Sequence, residues 1–482
     1  MAAEYDLVIR EGRVGTAAET FVCDVAVKGG RIAALGHELG KGEYEVQARG
    51  RLVLPGGVDG HCHLAQPLPD GAEMADGFDT GTLSAACGGT TTLIPFAFQR
   101  KGQAVRAAVN DYHALAAGRA YIDYAFHLII TDPTPTVLGQ ELPALIADGY
   151  TSFKIYMTYD GLKLSDREIL EVLWLARREQ AMTMVHCENH DVISWLTERL
   201  QLLGRNAPKY HALSHPPVGE GEATQRAVGY AELLEVPILV VHVSSREAVD
   251  EIRRAQSRGL RILAETCPQY LFLTADDLDL PGQEGARCIC SPPPRDKTHH
   301  AAIWNGLANG TFAVFSSDHS PFGMKAPKGK FVHGADAPFW KIPNGIPGVE
   351  TRLPLLLSEG VLKGRISLEQ FVALTATNCA RIYGVTGKGS IAIGADADIV
   401  VWNTDREVRI SHEILHSAAD YTPYEGMVVK AWPEVVLSRG EVVVEGGRPI
   451  ASQGRGQFLR CDRPEPARAM PNPGASPVVR MN

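Results

Sequence analysis

The chain is poor in the features that direct a protein to a membrane or to nucleic acid. No run in its 482 residues approaches the roughly 18 consecutive apolar residues that a spanning helix needs. The N-terminus, MAAEYDLVIREGRV, carries Glu4 and Asp6 where a secretory signal would be basic and then apolar. Basic residues are the minority, 47 Lys and Arg against 56 Asp and Glu, and a net charge of −9 gives no long-range pull on nucleic acid or an anionic membrane. That leaves a small-molecule partner or an acidic-surface role. There is no C-x-x-C pair among the nine cysteines, which suits reduced thiols and a cytoplasmic location better than a disulfide framework. The first-strand region lacks G-x-G-x-x-G and no G-x-x-x-x-G-K-[ST] occurs, so nucleotide-binding readings have no local support.

What the chain does have is material for a large core, with 45% apolar and 21% charged residues. Residues 1–54 and 386–460 are rich in short β-type runs separated by Gly-containing turns, and together they predict one small β-sandwich built from both chain ends. Between them, over 55–385, eight apolar runs (LVLPGGVDG, TTTLIPFA, YAFHLII, SFKIYM, MTMVHCE, PILVVHV, RILAETC and FAVFSSD) alternate with segments of helical period such as DREILEVLWLARREQA. That alternation predicts an α/β fold, a closed (β/α)₈ TIM barrel, with an open doubly wound sheet as the alternative. The Gly/Pro-rich stretch 320–350 follows the eighth run and is long enough to be expected as a pocket wall. Residues 461–482, Pro- and Arg-rich without periodicity, predict an extended or disordered tail that could also wrap a neighbouring subunit.

The ionisable residues fall into a pattern on those runs. His61 and His63 end the first, Lys154 lies in the fourth, His186 ends the fifth, His242 the sixth and Asp318 the eighth. The carboxyl rim of a TIM barrel is where active sites are assembled, so these strands would deliver metal-ligand types to one place. The i, i+2 spacing of His61 and His63 in an extended strand puts both imidazoles on one face and Cys62 on the other. Converging imidazoles suit zinc or a divalent ion of similar softness. Any one of these histidines alone would read as a core residue; four of them with an aspartate at strand ends read as a metal site. Lys154 is the odd member, costly to bury unless paired, and a salt bridge is its bland reading. His127 reads as core, His190 and His319 as neighbours of ligands without a partner, and His299-His300 as a polar helix start. Cys62, Cys187, Cys288 and Cys290 read as small buried hydrophobes.

The segments PGGVDGHCHL, GFDTGTLSAACGGTTT, SFKIYMTYDG, VHCENHDVI, VVHVSS, CSPPPRD, SSDHSPF, PNGIPGVE and DYTPYEG occur in this order over about residues 5–450. Together they resemble the dihydropyrimidinase and D-hydantoinase branch of the amidohydrolase superfamily. The resemblance implies a cyclic amide hydrolase (EC 3.5.2) that opens hydantoin or dihydropyrimidine rings to N-carbamoyl amino acids through a hydroxide bridging two zinc ions. It implies that CO₂ carboxylates Lys154 to a carbamate joining both ions, with His61, His63 and Asp318 on one ion and His186 and His242 on the other. Asp318 would also carry the proton from the attacking hydroxide to the departing nitrogen. Tyr159 would bind the developing oxyanion, Ser291 and Asn344 would grip the ring amide through mainly backbone contacts, and the loop from Leu64 to Met74, with Tyr156, would contact the ring substituent. A homo-oligomer, tetramer or dimer, is implied as well. Allantoinase-, dihydroorotase- and imidase-like hydrolases are the near rivals; dihydroorotases typically carry an Arg just after the H-x-H, and here the run is His63-Leu64-Ala65-Gln66-Pro67. Collapsin-response-mediator-like interaction proteins share the fold but lose the ligands that this chain keeps. Hydantoinases commonly have Asp near Ala65 and again near Pro95, so the pocket mouth is expected to differ in shape and polarity.

Overall fold

The computed structural model describes residues 3–68 and 71–470. Its centre is a parallel sheet of eight successive strands: Gly57–Cys62, Thr90–Phe98, His127–Ile129, Ser152–Tyr156, Met182–His186, Ile238–Val240, Ile262–Thr266 and Val314–Phe315. Each coincides with one of the eight apolar runs to within two residues at its C-terminal end, and the two-residue strand Asp123–Tyr124 adds a side pairing to the second. The ends meet where Cys62 bridges His319 in parallel and the His63 N–H donates to the His319 carbonyl at 2.6 Å. The sheet is therefore a closed barrel. Strand residues alternate between two apolar environments, which explains why the runs are continuously hydrophobic. Val58, Ile94, Phe96, Ile129, Met184 and Leu239 fill the interior, whereas Leu93, Phe153, Ile155, Val185 and Ile238 pack outward with the helices.

The helix Asp166–Glu179 illustrates how the sequence fixes the layer outside. Ser165 accepts the Glu168 N–H and Glu168 reaches back to the Ser165 N–H, a reciprocal cap worth about 1 kcal/mol. Ile169, Val172, Leu173 and Ala176 recur at helical spacing and are buried, and Gln180 ends the helix with φ +57°. This unit joins the strands that carry Lys154 and His186.

Both chain ends contribute to one nine-stranded sheet. Tyr5–Gly15, Thr20–Lys28, Arg31–Gly36, Gly42–Gln47 and Leu52–Pro55 come from the first part; Ile399–Asn403, Trp432–Ser438, Glu441–Glu445 and Arg448–Pro449 come from the second. The sheet curls until Arg31 bridges Asp396 and the Ile32 N–H reaches the Ala395 carbonyl at 2.9 Å, enclosing Leu7, Ile9, Val25, Val27, Val401 and Leu437. Within 386–460, a stretch leaves this sheet: Val408–Arg409 pairs with Val428–Val429 in a separate two-stranded sheet, and Asp420 accepts the N–H groups of Met324 and Lys325 from the long connection. Of the tail, residues 461–470 are tied down rather than disordered and include a 3-10 turn at Glu465–Ala467, with Cys461 N–H on the Gly149 carbonyl and Met470 N–H on the Glu235 carbonyl; 471–482 lie outside the described residues. Among the described residues no helix is long and apolar enough to cross a membrane.

Candidate active site

A cavity of about 270 Å³ opens at the carboxyl ends of the barrel strands and gathers all six ligand-type residues, His61, His63, Lys154, His186, His242 and Asp318, on its walls. Each arrives by a different local route. His61 lies inside the first strand and His63 just past it, His186 is the last residue of the fifth strand, His242 follows the sixth by two residues and Asp318 follows the eighth by three. His242 and Asp318 adopt φ +39° and +47°, left-handed conformations uncommon for non-glycine residues and often found where a side chain is held for function. Lys154 is mid-strand rather than at an end, and its long stem carries Nζ up to the group.

The side chains are close and dry. His61 Nε2 lies 3.2 Å and His63 Nε2 3.6 Å from Asp318 Oδ1, and the three ligand atoms lie within 4.8 Å of one another. Lys154 Nζ donates to His61 Nε2 at 2.9 Å. The His186 and His242 rings stand 4.4 Å apart, and His242 is 5.3 Å from His61. Burial drives His61 and His242 well below the usual imidazole range, so both rings are neutral, the form that binds a metal. Burial also pushes the Lys154 amine down to about 8, against the pull of Asp318 and Glu265. Burial alone would raise the Asp318 carboxyl, but the surrounding His61, His63 and Lys154 hold it below its ordinary value.

Among the described residues no carboxylate lies within ion-pair distance of Lys154, so the salt-bridge reading of this lysine has no partner. The donor set fits divalent ions on its own chemistry: four imidazoles, one carboxylate and a buried amine, with the buried His242 Nδ1 lacking a hydrogen-bond partner among the described residues. A second cluster, Cys87, Glu350 and His416, lies elsewhere, and its carboxylate is already engaged by Ser84 Oγ and by the His416 backbone and ring.

Sequence reasoning missed the groups behind the ligand-type residues. Glu265, fully buried at the end of the seventh strand, takes the His61 Nδ1–H at 2.6 Å and the His242 backbone N–H at 3.1 Å. Gln66 takes the His63 Nδ1–H at 2.6 Å. Glu188 takes the His186 Nε2–H at 2.8 Å and the Ser291 hydroxyl at 2.6 Å, linking His186 to the residue expected to hold the ring. These bonds fix each tautomer and leave the opposite nitrogen unprotonated, with a lone pair to offer. His319, read as partnerless, has a partner: its Nε2–H goes to Asp76 at 3.0 Å, and Asp76 also accepts from Ser417 and the Ala418 N–H. The signals were faint, a lone acid in the apolar run RILAETC and an acid two residues after His186.

Of the residues expected to touch substrate, Tyr156, Tyr159, Ser291 and Asn344 line the cavity, and the Asn344 Oδ1 is a buried acceptor without a partner among the described residues. Leu64 does not line it. Its side chain is fully buried in the outer core against the helix Phe78–Cys87, on the same face as Cys62. Leu68 and Met74 from the same loop, with Phe98, Leu162 and Phe322, make the apolar wall instead. His127 is a core residue, bonded to the Gly60 carbonyl and Ser152, and all nine cysteines are buried and free, although Cys290 reaches the cavity wall.

Residues 52–443 match the Amidohydrolase family. The D-hydantoinase of Ralstonia pickettii is 43% identical over 457 residues, covering 94% of this chain and 98% of that protein. The chain belongs to the amidohydrolase family, in its D-hydantoinase and dihydropyrimidinase branch of cyclic amide hydrolases. The D-hydantoinase of Geobacillus stearothermophilus is likewise 43% identical, covering 94% of this chain and 96% of that one. The crystal structure of the dihydropyrimidinase from Brevibacillus agri NCHU1002 superposes with a TM-score of 0.92 at 40% identity, covering 97% of this chain and 99% of that one.

Proposed function

We propose that this enzyme opens hydantoin or dihydropyrimidine rings to N-carbamoyl amino acids at a pair of divalent ions, zinc in the first instance. The observation that carries the reading is one cavity lined by six ligand-type residues together with the polar Tyr159, Ser291 and Asn344 and the apolar Leu68, Met74, Phe98 and Phe322. His61, His63 and Asp318 would hold one ion, His186 and His242 the second, and Lys154, carboxylated to a carbamate, would serve both. The ions would supply a nucleophilic water at neutral pH and polarise the amide carbonyl. The protein's own groups do the rest. Asp318, kept ionised by its neighbours, takes a proton from the attacking water and returns it to the departing ring nitrogen. Tyr159 stays protonated, since burial raises its hydroxyl well above the usual range, and so can donate to the developing oxyanion. The Ser291 and Asn344 segments hold the ring amide, and Leu68, Met74, Phe98 and Phe322 receive the ring substituent. The nine free thiols support a reducing, cytoplasmic setting.

A homo-oligomer, tetramer or dimer, is part of the proposal. The helix His190–Leu202 has no buried residue and leaves Trp195, Leu202 and Leu203 exposed, an apolar face that a second copy would cover. Light scattering on Trp195→Glu tests this, with dissociation expected. The function is tested by incubating zinc-loaded protein with dihydrouracil, hydantoin, 5-phenylhydantoin, allantoin, dihydroorotate and succinimide. A product one water heavier from a hydantoin or dihydropyrimidine is expected; turnover confined to allantoin, dihydroorotate or succinimide would reject the reading.

A further inference from the structure

Lys330, in the long connection after the last barrel strand, has no part in the chemistry described so far. It is fully buried. Its Nζ donates to the carbonyls of Ile289 and Pro343, each at 2.8 Å, and lies 5.8 Å from the centre of the Phe322 ring. Among the described residues no carboxylate pairs with it, and burial pushes its amine down to about 7. Burying an amine in this way costs stability that a methionine of similar length would not.

The two carbonyls share a location. Ile289 stands two residues before Ser291, and Pro343 directly precedes Asn344; both Ser291 and Asn344 line the cavity. The segments touch directly through the Gly345 N–H, which donates to the same Ile289 carbonyl at 3.0 Å. Gly345 has φ +141°, and a Cβ there would meet the Ser320 carbonyl at 2.4 Å, so this stretch has little room to re-form the contact another way. Ser291 is held on its other side by Glu188, which acts on the side chain and leaves the backbone of 289–291 to the lysine.

We propose that Lys330 is a positioning residue for the substrate: its amine clamps the Ser291 and Asn344 segments together at the spacing the ring amide requires. The proposal rests on the assignment of those segments to the ring. Either protonation state of the amine keeps the two N–H bonds that the clamp uses.

The test is Lys330→Met in the full-length, metal-loaded enzyme. Hydrogen exchange of peptides spanning 287–291 and 343–347 should quicken about tenfold while peptides from the strands 152–156 and 182–186 stay as in the wild type. KM for the ring substrate should rise about tenfold with kcat within about threefold, and Tm should hold or increase. Lys330→Arg, which keeps donors, should remain near the wild type on both readouts. Unchanged exchange in the two segments would overturn the clamp. So would faster exchange spreading through the barrel, or a fall in kcat at constant KM, both marks of a merely structural role. Should Lys330→Met not fold, Lys330→Gln, which reaches only one carbonyl, is judged by the same criteria. A wild-type enzyme inert toward every ring counts against the ring assignment alone, and the exchange data still decide the clamp.

Discussion

His61 gives its Nδ1–H to Glu265 Oε1 at 2.6 Å, and the same oxygen takes the His242 backbone N–H at 3.1 Å. One buried carboxylate thus sets the tautomer of a histidine assigned to one ion and the backbone of a histidine assigned to the other. Glu265→Gln keeps the volume but replaces the carboxylate acceptor. Outer partners of metal-binding histidines typically contribute 10–100-fold in affinity, so about that loss is expected in a zinc-buffer titration, with the circular dichroism spectrum unchanged. Wild-type affinity in the variant would remove Glu265 from the account.

Asp318→Asn tests the proton transfer. The amide keeps a ligand oxygen and nearly the same volume but cannot accept the proton, so kcat should fall by roughly 10²–10⁴ or more. A fully metal-loaded variant retaining more than about a tenth of wild-type kcat would refute the assignment.

Stability has its own test at the joint between barrel and sheet. Lys388 Nζ lies 2.8 Å from Asp123, 2.9 Å from Asp398 and 3.1 Å from Asp396, and the lysine and Asp123 are fully buried. Lys388→Met leaves buried Asp398 without a cation, while Asp123 keeps Arg439 and Asp396 keeps Arg31, and should cost about 3 kcal/mol in denaturant unfolding. Burial opposes the charge on Lys388, but the three carboxylates hold its pKa above the ordinary 10.5. The contribution is therefore fully present below about pH 10.5 and fades only as pH climbs through the raised folded value. A loss under about 1 kcal/mol at pH 7 would contradict this.

The clustering of the six ligand-type residues was legible because each sits on or just after an apolar strand run, and the barrel brings those positions to one rim. The eight strands were legible for the same reason, since a strand covered on both faces must be continuously apolar. Leu64 continues the alternation that turns Cys62 away from His61 and His63, so it packs outward with the helices although its loop was expected at the ring substituent. Leu68, Met74 and Lys330 lie in irregular segments without a period, and only the folded chain reveals which way they face. Glu188, Glu265 and Asp76 act through partners distant in sequence or hidden by strand geometry. The curl of the terminal sheet depends on the Arg31–Asp396 pairing across more than 360 residues, which no local pattern encodes.

The most direct measurement of the central claim is the number of ions bound per chain. Protein loaded with zinc and bicarbonate should carry about two, as a two-metal hydrolase requires. Lys154→Ala and Lys154→Arg should each carry fewer and be inactive, because neither side chain can become an anionic ligand. A single ion per chain in the fully active wild type, or an active two-ion Lys154→Arg, would contradict the account.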